Sequence, residues 1–364
     1  LKTYLIRLSG DVTYRKRKSR MLFERLVFNN IKEMLNSKKV KYKIKWEPAR
    51  IFVECDNSSI EDFKRVFGIS SISQVIKVEF LNLEDLANKI KELYKDKVKD
   101  KTFAVRCKRI GKHDFTSMQA SEVIGSYLYP YSKGVNLENP EVEINLEIRQ
   151  NIAYIFEEKV KGSKGLPIGS GEKVLSLFSG GFDSPVASWL VAKRGCLVDF
   201  IHFSFGSLNE VLDVVKVAKY LANNWFYGHK SRFFVIKYAS IINEIMTKLP
   251  PKIWQVALRR CMYLGAERFA LKFNYESLVT GEVISQTTSQ TVRNLRTAEK
   301  DIQLPILRPL IGFDKEEIIN LSKEIGVYDL SVKVEELCAI AIGPLTPAVD
   351  LKLFFEDFNK LDLS

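Results

Sequence analysis

Ser179-Gly180-Gly181-Phe182-Asp183-Ser184 places two glycines, two hydroxyls and a carboxylate within six consecutive residues. Glycine lets a backbone approach an anion with no Cβ in the way, and serine hydroxyls donate to phosphate oxygens. A carboxylate inside such a turn makes electrostatic sense when a cation shares the site, so Asp183 reads as a Mg²⁺ and phosphate partner. The run follows the apolar stretch Val174 to Phe178 and precedes Pro185, which suits the first turn of a helix. A strand turning into a helix here would aim free N–H groups and the positive end of the helix dipole at a ligand. The closing Gly-Lys-Ser/Thr of a Walker A loop and the third glycine of the dinucleotide fingerprint are both missing, so neither ordinary nucleotide loop applies.

A second constellation lies upstream. Arg106, Lys108, Arg109 and Lys112 flank a glycine turn beside His113 and Phe115, a set suited to phosphate contact with an aromatic for stacking. The charge of the chain agrees with this position. Of a net +12, almost all sits in residues 1–170, which hold 33 Lys and Arg against 22 Asp and Glu, whereas residues 171–364 hold 23 against 22. A basic half joined to a near-neutral half suggests that one part grips a polyanion while the other does chemistry. Five cysteines form neither a disulfide framework nor a C-x-x-C zinc pattern, so a functional cysteine is expected to be reactive. No apolar run is long enough to span a bilayer and no signal peptide is evident. The expectation is a soluble, cytoplasmic protein without membrane contact.

The elements that must position these residues follow from periodicity. Residues 1–74 read as a ferredoxin-like β-α-β-β-α-β order, with a basic loop Tyr14 to Arg20 before a helix from Met21 to Leu35. A second α+β unit spans 75–160, with a strand Thr102 to Arg106 running into the basic loop. Glycine and proline crowd residues 161–172, which reads as a linker allowing movement. From 173 to 364, apolar strands alternate with amphipathic helices, the pattern of a doubly wound parallel sheet whose ligands bind at the C-terminal strand ends. The loop Ser179 to Ser184 falls at such an end.

The pattern Ser-Gly-Gly-x-Asp-Ser resembles the PP-loop of ATP pyrophosphatases, which adenylate a substrate and release pyrophosphate. Val105 to Ser117, with Ser121 to Gly125 and Val135 to Pro140, resembles a THUMP domain, a fold that binds RNA and chiefly tRNA. Together with Thr280-Gly281-Glu282-Val283-Ile284-Ser285-Gln286-Thr287-Thr288-Ser289-Gln290-Thr291 and Arg308-Pro309-Leu310-Ile311-Gly312-Phe313-Asp314-Lys315, these motifs make the whole chain similar to the tRNA 4-thiouridine synthetase family. The resemblance implies an α/β PP-loop domain of the adenine nucleotide alpha hydrolase type, preceded by the ferredoxin-like segment and the THUMP domain. It implies adenylation of the 4-oxygen of the uridine at position eight of tRNA, followed by displacement of AMP by persulfide sulfur.

Carried onto this chain, the family's ATP contacts fall on Leu177, Phe178, His202, Phe203, Arg259, Gly281 and Gln290, beside Ser179, Gly180, Gly181 and Ser184 of the loop. His202 and Phe203 would pack on the adenine. Asp183 would hold Mg²⁺ and pyrophosphate, and Lys315 matches a lysine important for activation. Cys338 matches the family's sulfur-transfer cysteine. Some members carry a C-x-x-C pair for an iron–sulfur cluster, but here the stretch is Cys261-Met262-Tyr263-Leu264. Cys261 and Cys338 are therefore expected to face each other as a persulfide-bearing and resolving pair. No rhodanese domain follows Cys338 in this sequence, so the sulfur is expected from a cysteine desulfurase, with no thiamine role. A homodimer could present RNA from one subunit to the other. The competing readings are another PP-loop enzyme and a tRNA-binding protein with an inactive nucleotide domain.

Overall fold

The structure is a computed structural model and describes residues 1–56, 59–206, 208–334 and 346–363. It divides into two compact units, Leu1–Lys164 and Gly165–Ser364.

In the first unit, β1 (Lys2–Leu8), β2 (Tyr42–Glu47), β3 (Arg50–Cys55) and β4 (Ile69–Glu79) form the ferredoxin-like part, with a long helix Arg17–Ser37 and a short one Ile60–Lys64. The long helix starts inside the expected basic loop. Arg20 reaches Glu24 one turn on, at 2.7 Å, so part of that cation run becomes helix rather than free loop. The rest of this unit adds β5 (Thr102–Ile110), β6 (Gly134–Val135), β7 (Val142–Arg149), β8 (Ile152–Phe156) and β9 (Val160–Lys161). Helices Leu83–Tyr94 and Ser117–Leu128 cover it, burying Leu86, Ile90, Ile124 and Leu128 against Phe103 and Ile144.

Both parts share one sheet of order β2-β3-β1-β4-β8-β7-β5-β6, because β4 serves both. Its residues up to Val75 pair with β1, and Ile76 onward pair with β8. An expected border between residues 74 and 75 therefore lies in the middle of a strand.

The glycine-rich stretch 161–172 is bonded along its length. Lys161 pairs with Ser71, Gly162 N–H donates to Ser70 O at 2.9 Å and Lys164 N–H to Ile69 O at 2.8 Å. Beyond the division between the units, Leu166 N–H donates to Lys193 O at 2.9 Å, and both Gly169 and Gly171 donate to Gly195 O.

The second unit holds β10 (Lys173–Leu177), β11 (Leu197–Ser204), β12 (Phe233–Lys237), β13 (Ser277–Val279) and β14 (Ile306–Leu307). All pair in parallel, in the order β12-β11-β10-β13-β14. The chain winds outward from β10 through β11 to β12, then returns to the other side of β10 for β13 and β14. The direction thus reverses between β10 and β13, the position at which open parallel sheets leave a ligand crevice beyond their C-terminal ends. No helix among the described residues is long and apolar enough to cross a membrane.

Candidate functional site

Two loops meet at that reversal. After β10, Phe178 to Phe182 lead into helix Asp183–Ala192. Gly180 adopts φ +83°, a left-handed conformation that glycine takes without strain. Ser184 is buried, and its Oγ accepts N–H bonds from Ser179 at 3.1 Å and Gly180 at 3.2 Å. The loop is therefore curled around its own serine before any ligand arrives. Behind it, Ser176 Oγ and Ser188 Oγ lie 2.8 Å apart, both fully buried, and Ser188 donates to Ser184 O.

After β13, Gly281 passes so close that a Cβ there would sit 2.8 Å from Asp183 C and 2.9 Å from Ser184 N. Only glycine permits this approach. Gln286 of the same loop reaches Asp183 Oδ2 at 3.4 Å. Gln290 turns back to accept the Val283 N–H at 3.0 Å, so its carbonyl end shapes the loop. Asp183, Ser184 and Gly281 are thus brought together, with Gln290 shaping the loop that carries Gly281.

His202 and Phe203 are not brought to one surface. Successive strand residues point to opposite faces. Phe203 is buried edge-on to Tyr238, ring centroids 4.7 Å apart, in a core with Leu177. His202 lies across the sheet, with Nδ1 donating to Phe178 O at 2.9 Å and Nε2 3.8 Å from Glu210 Oε1. Burial pushes the His202 pKa down, against the pull of the Phe178 bond, which favours the neutral ring. Two side chains on opposite faces cannot both pack on one adenine, which corrects that part of the expectation. Phe178 is likewise packed edge-on against Phe200.

Arg259 lies on helix Trp254–Lys272 and is tied into a buried charge cluster. Its Nη1 bonds Glu282 Oε1 and its Nη2 bonds Ser289 Oγ at 3.2 Å. Tyr263 OH also donates to Glu282 Oε1, while Thr280 Oγ1 and Arg308 Nε donate to Oε2 at 3.0 and 2.7 Å. Burial would raise the Glu282 carboxyl, but the two guanidiniums outweigh it and hold the pKa below its ordinary value. Arg259 Nε is buried without a hydrogen-bond partner among the described residues. Sequence reasoning missed Glu282, Tyr263 and Arg308. The available signal was a lone Glu beside the glycine at a strand end and an Arg opening the Arg308 to Lys315 run.

Lys315 is exposed as the first residue of helix Lys315–Glu324, which Asp314 and Glu317 cap reciprocally. That helix packs against Asp183–Ala192. Cys338 lies outside the described residues; the described residues before it reach the phosphate loop, and those after it are tied to Asn294. Ser331 Oγ donates to Gly181 O at 3.4 Å, and Phe182 stacks on Tyr328 with centroids 5.3 Å apart. On the far side, fully buried Asn294 donates to Thr346 O at 3.0 Å and accepts the Val349 N–H at 3.1 Å. Cys261 is 2% exposed in the core, and burial pushes its thiol up to about 12. A nucleophile needs a thiolate, which this position suppresses.

In the first unit, the expected basic loop is largely strand. β5 pairs with β7 through Ile110, so Arg106 and Lys108 project outward while Arg109 turns the other way. Arg106 is held by Glu143 at 3.3 Å and Leu137 O at 2.6 Å. Arg109 lies 3.5 Å from His113 Nδ1, whose Nε2 is bonded to Gln150 O at 2.8 Å. Phe115 packs against the core, which leaves its ring only partly open to a base. Lys108 and Lys112 are exposed. Burial lowers the pKa of nearby Lys159, with Arg7 and Lys108 adding to the fall and Glu143 and Glu147 opposing it.

Three comparisons bear on this geometry. The family model described as "Thiamine biosynthesis protein (ThiI)" matches residues 169–353, the THUMP domain model 81–157 and the ThiI ferredoxin-like domain model 3–73. A Desulfurococcus amylolyticus "tRNA sulfurtransferase" is 43% identical over 93% of this chain and 71% of its own length. A Saccharolobus solfataricus "Probable tRNA sulfurtransferase" is 44% identical over 99% of this chain and 95% of its own. Among solved structures, a 4-thiouridine synthetase in complex with RNA and bound ATP matches with a TM-score of 0.84 at 28% identity, covering 99% of this chain and 95% of that one.

Proposed function

Since the chain belongs to the tRNA sulfurtransferase family of sulfur-transferring enzymes, we propose that it uses ATP to convert the uridine at position eight of tRNA to 4-thiouridine. The uridine 4-oxygen attacks the α-phosphorus of ATP and pyrophosphate leaves. The terminal sulfur of a cysteine persulfide then adds at C4 and AMP departs; a second thiol attacks the inner sulfur, so the S–S bond breaks, a disulfide is left behind and the sulfur stays on the base as 4-thiouridine. The observation that supports this reading most is the contact of Gly281 with Asp183 and Ser184, which joins the phosphate loop to the second motif at the crevice of the sheet.

In this reading the Ser179 to Ser184 loop and the first turn of the helix bind the departing pyrophosphate end, with the positive charge of Arg259 nearby. The backbone at Leu177–Phe178 and His202–Phe203 borders the base. Lys315 sits on the helix packed against the phosphate loop's own helix and serves the reacting phosphate. Asp183 is a single carboxylate in a phosphate cradle, a donor set that suits Mg²⁺, and would hold it there. When bound there, Mg²⁺ neutralises charge building on the leaving group.

Cys338 carries the sulfur chemistry. Cys261, held protonated in the core, takes part only if its helix opens to expose it. A cysteine desulfurase supplies the persulfide, the enzyme works in the cytoplasm, and Arg106, Lys108, Arg109, Lys112, His113 and Phe115 lie on the RNA-binding side. A homodimer in which one subunit presents RNA to the other predicts that a variant of Lys108 and Lys112 and an Asp183→Asn variant complement one another when mixed.

The reading is tested by tRNA-dependent pyrophosphate release from Mg-ATP. Release without added sulfur donor is expected from wild type and from Cys338→Ala. Its absence from wild type would refute adenylation.

A further inference from the structure

We infer that Glu282 and Arg308 are positioning residues for ATP, acting through Gly281 and Arg259 rather than by touching the nucleotide. The inference rests on the functional reading above, in which Gly281 and Arg259 border the phosphates.

A carboxylate offers about four lone-pair sites. All four of Glu282 are taken: Oε1 by Arg259 and Tyr263, Oε2 by Thr280 and Arg308. Glu282 is 4% exposed, so it has neither a free lone pair for a metal nor access to a substrate proton. Its geometry suits a hub.

The hub joins three pieces of chain. Arg259 and Tyr263 lie one turn apart on helix Trp254–Lys272, Thr280 follows β13, and Arg308 follows β14. Arg308 extends the chain of charges to Glu299 at 2.6 Å, on helix Val292–Glu299. Arg259 extends it to Ser289, so one guanidinium pins both ends of the segment that crosses Asp183. The residue before Glu282 is Gly281, whose backbone makes the close approach to the phosphate loop. Ile311, three residues beyond Arg308, accepts the Ile284 N–H at 3.2 Å and ties the run leading to Lys315 to the same loop.

Removing the Glu282 charge would leave two buried guanidiniums facing a neutral amide, a costly arrangement that loosens the hub. Removing Arg308 as well restores balance, so the two losses share one cause and should not multiply. A hub that only stabilised the fold would change how many molecules are competent, not how tightly each binds.

Calorimetric titration with Mg-ATP separates these, because stoichiometry reports the competent fraction and the dissociation constant reports positioning. Tyr263→Phe removes one donor and no charge, and is the variant least exposed to misfolding. It is expected to weaken ATP binding three- to fivefold at unchanged stoichiometry. Glu282→Gln should weaken it at least tenfold, and Glu282→Gln with Arg308→Gln should bind no more weakly than Glu282→Gln alone. Affinities within twofold of wild type in both Tyr263→Phe and Glu282→Gln would overturn the inference, as would losses that multiply in the double variant. A wild type that binds ATP but makes no 4-thiouridine would break the functional reading and leave the hub to be judged on the affinities.

Discussion

Substituting Gly281 by alanine tests how closely the two loops of the site must meet. The added methyl would lie 2.8 Å from two Asp183 atoms and 2.9 Å from Ser184 N, with ordinary contact starting at 3.4 Å. Two of those atoms are backbone, so no side chain can swing away, and one loop must retreat by about 0.6 Å. Such overpacking costs about 1–3 kcal/mol of stability. Its effect on chemistry is expected to be larger in proportion. A misplacement of about 1 Å at a reacting centre costs on the order of a hundredfold, so about 0.6 Å predicts roughly a tenfold fall in kcat/KM for ATP. Gly312, the glycine of the other motif, is the control, because a Cβ there meets nothing within 4 Å. The assay is pyrophosphate release at varied ATP with tRNA saturating. Gly281→Ala within twofold of wild type, or Gly312→Ala as impaired as Gly281→Ala, would refute the close-approach argument.

Ser184→Ala removes the acceptor that curls the loop. It should cost about 1–2 kcal/mol of stability and raise KM for ATP roughly tenfold, read from the same assay; an unchanged KM would mean that ligand alone shapes the loop. Cys338→Ala should abolish thiolation while leaving pyrophosphate release intact. Cys261→Ala should keep thiolation, since its thiol is pushed up to about 12, and nucleoside analysis showing equal loss in both would restore the pair. Burial raises the Asp199 carboxyl, but bonds from His229, the Arg232 backbone, Tyr275 and the Arg232 side chain outweigh it and hold the pKa at about 2. A carboxyl depressed in the fold stabilises it fully above its unfolded pKa of about 3.9, and that share is lost as pH falls toward 2. Denaturant unfolding should therefore show about 2 kcal/mol lost over that window in wild type and a flatter profile in Asp199→Asn.

The parallel sheet and its crevice were legible because strands that are apolar throughout alternate with helices, and a run of glycine, serine and aspartate at one strand end is rare in other settings. The burial of Cys261 was not legible, because spacing shows which residues are near in sequence, not which face of a helix enters the core. His202 and Phe203 show the same limit. Adjacent residues at a strand end were read as one surface, although pleating sends them to opposite faces. The cations from Arg106 to Lys112 looked like a loop because local composition outweighed pairing with β7, which extends the strand through Ile110. Glu282 was hidden for another reason. Its four partners are Arg259, Tyr263, Thr280 and Arg308, and the local signal, a lone Glu beside a glycine at a strand end, does not tell which residues distant in sequence meet on it.

The most direct test of the central claim is mass-spectrometric analysis of tRNA nucleosides after incubation with wild type, Mg-ATP, a cysteine desulfurase and cysteine, beside Asp183→Asn and Cys338→Ala. Formation of 4-thiouridine at position eight by wild type alone is predicted, with pyrophosphate still released by Cys338→Ala and not by Asp183→Asn. Thiouridine formed equally by Asp183→Asn, or by wild type without ATP, would contradict it.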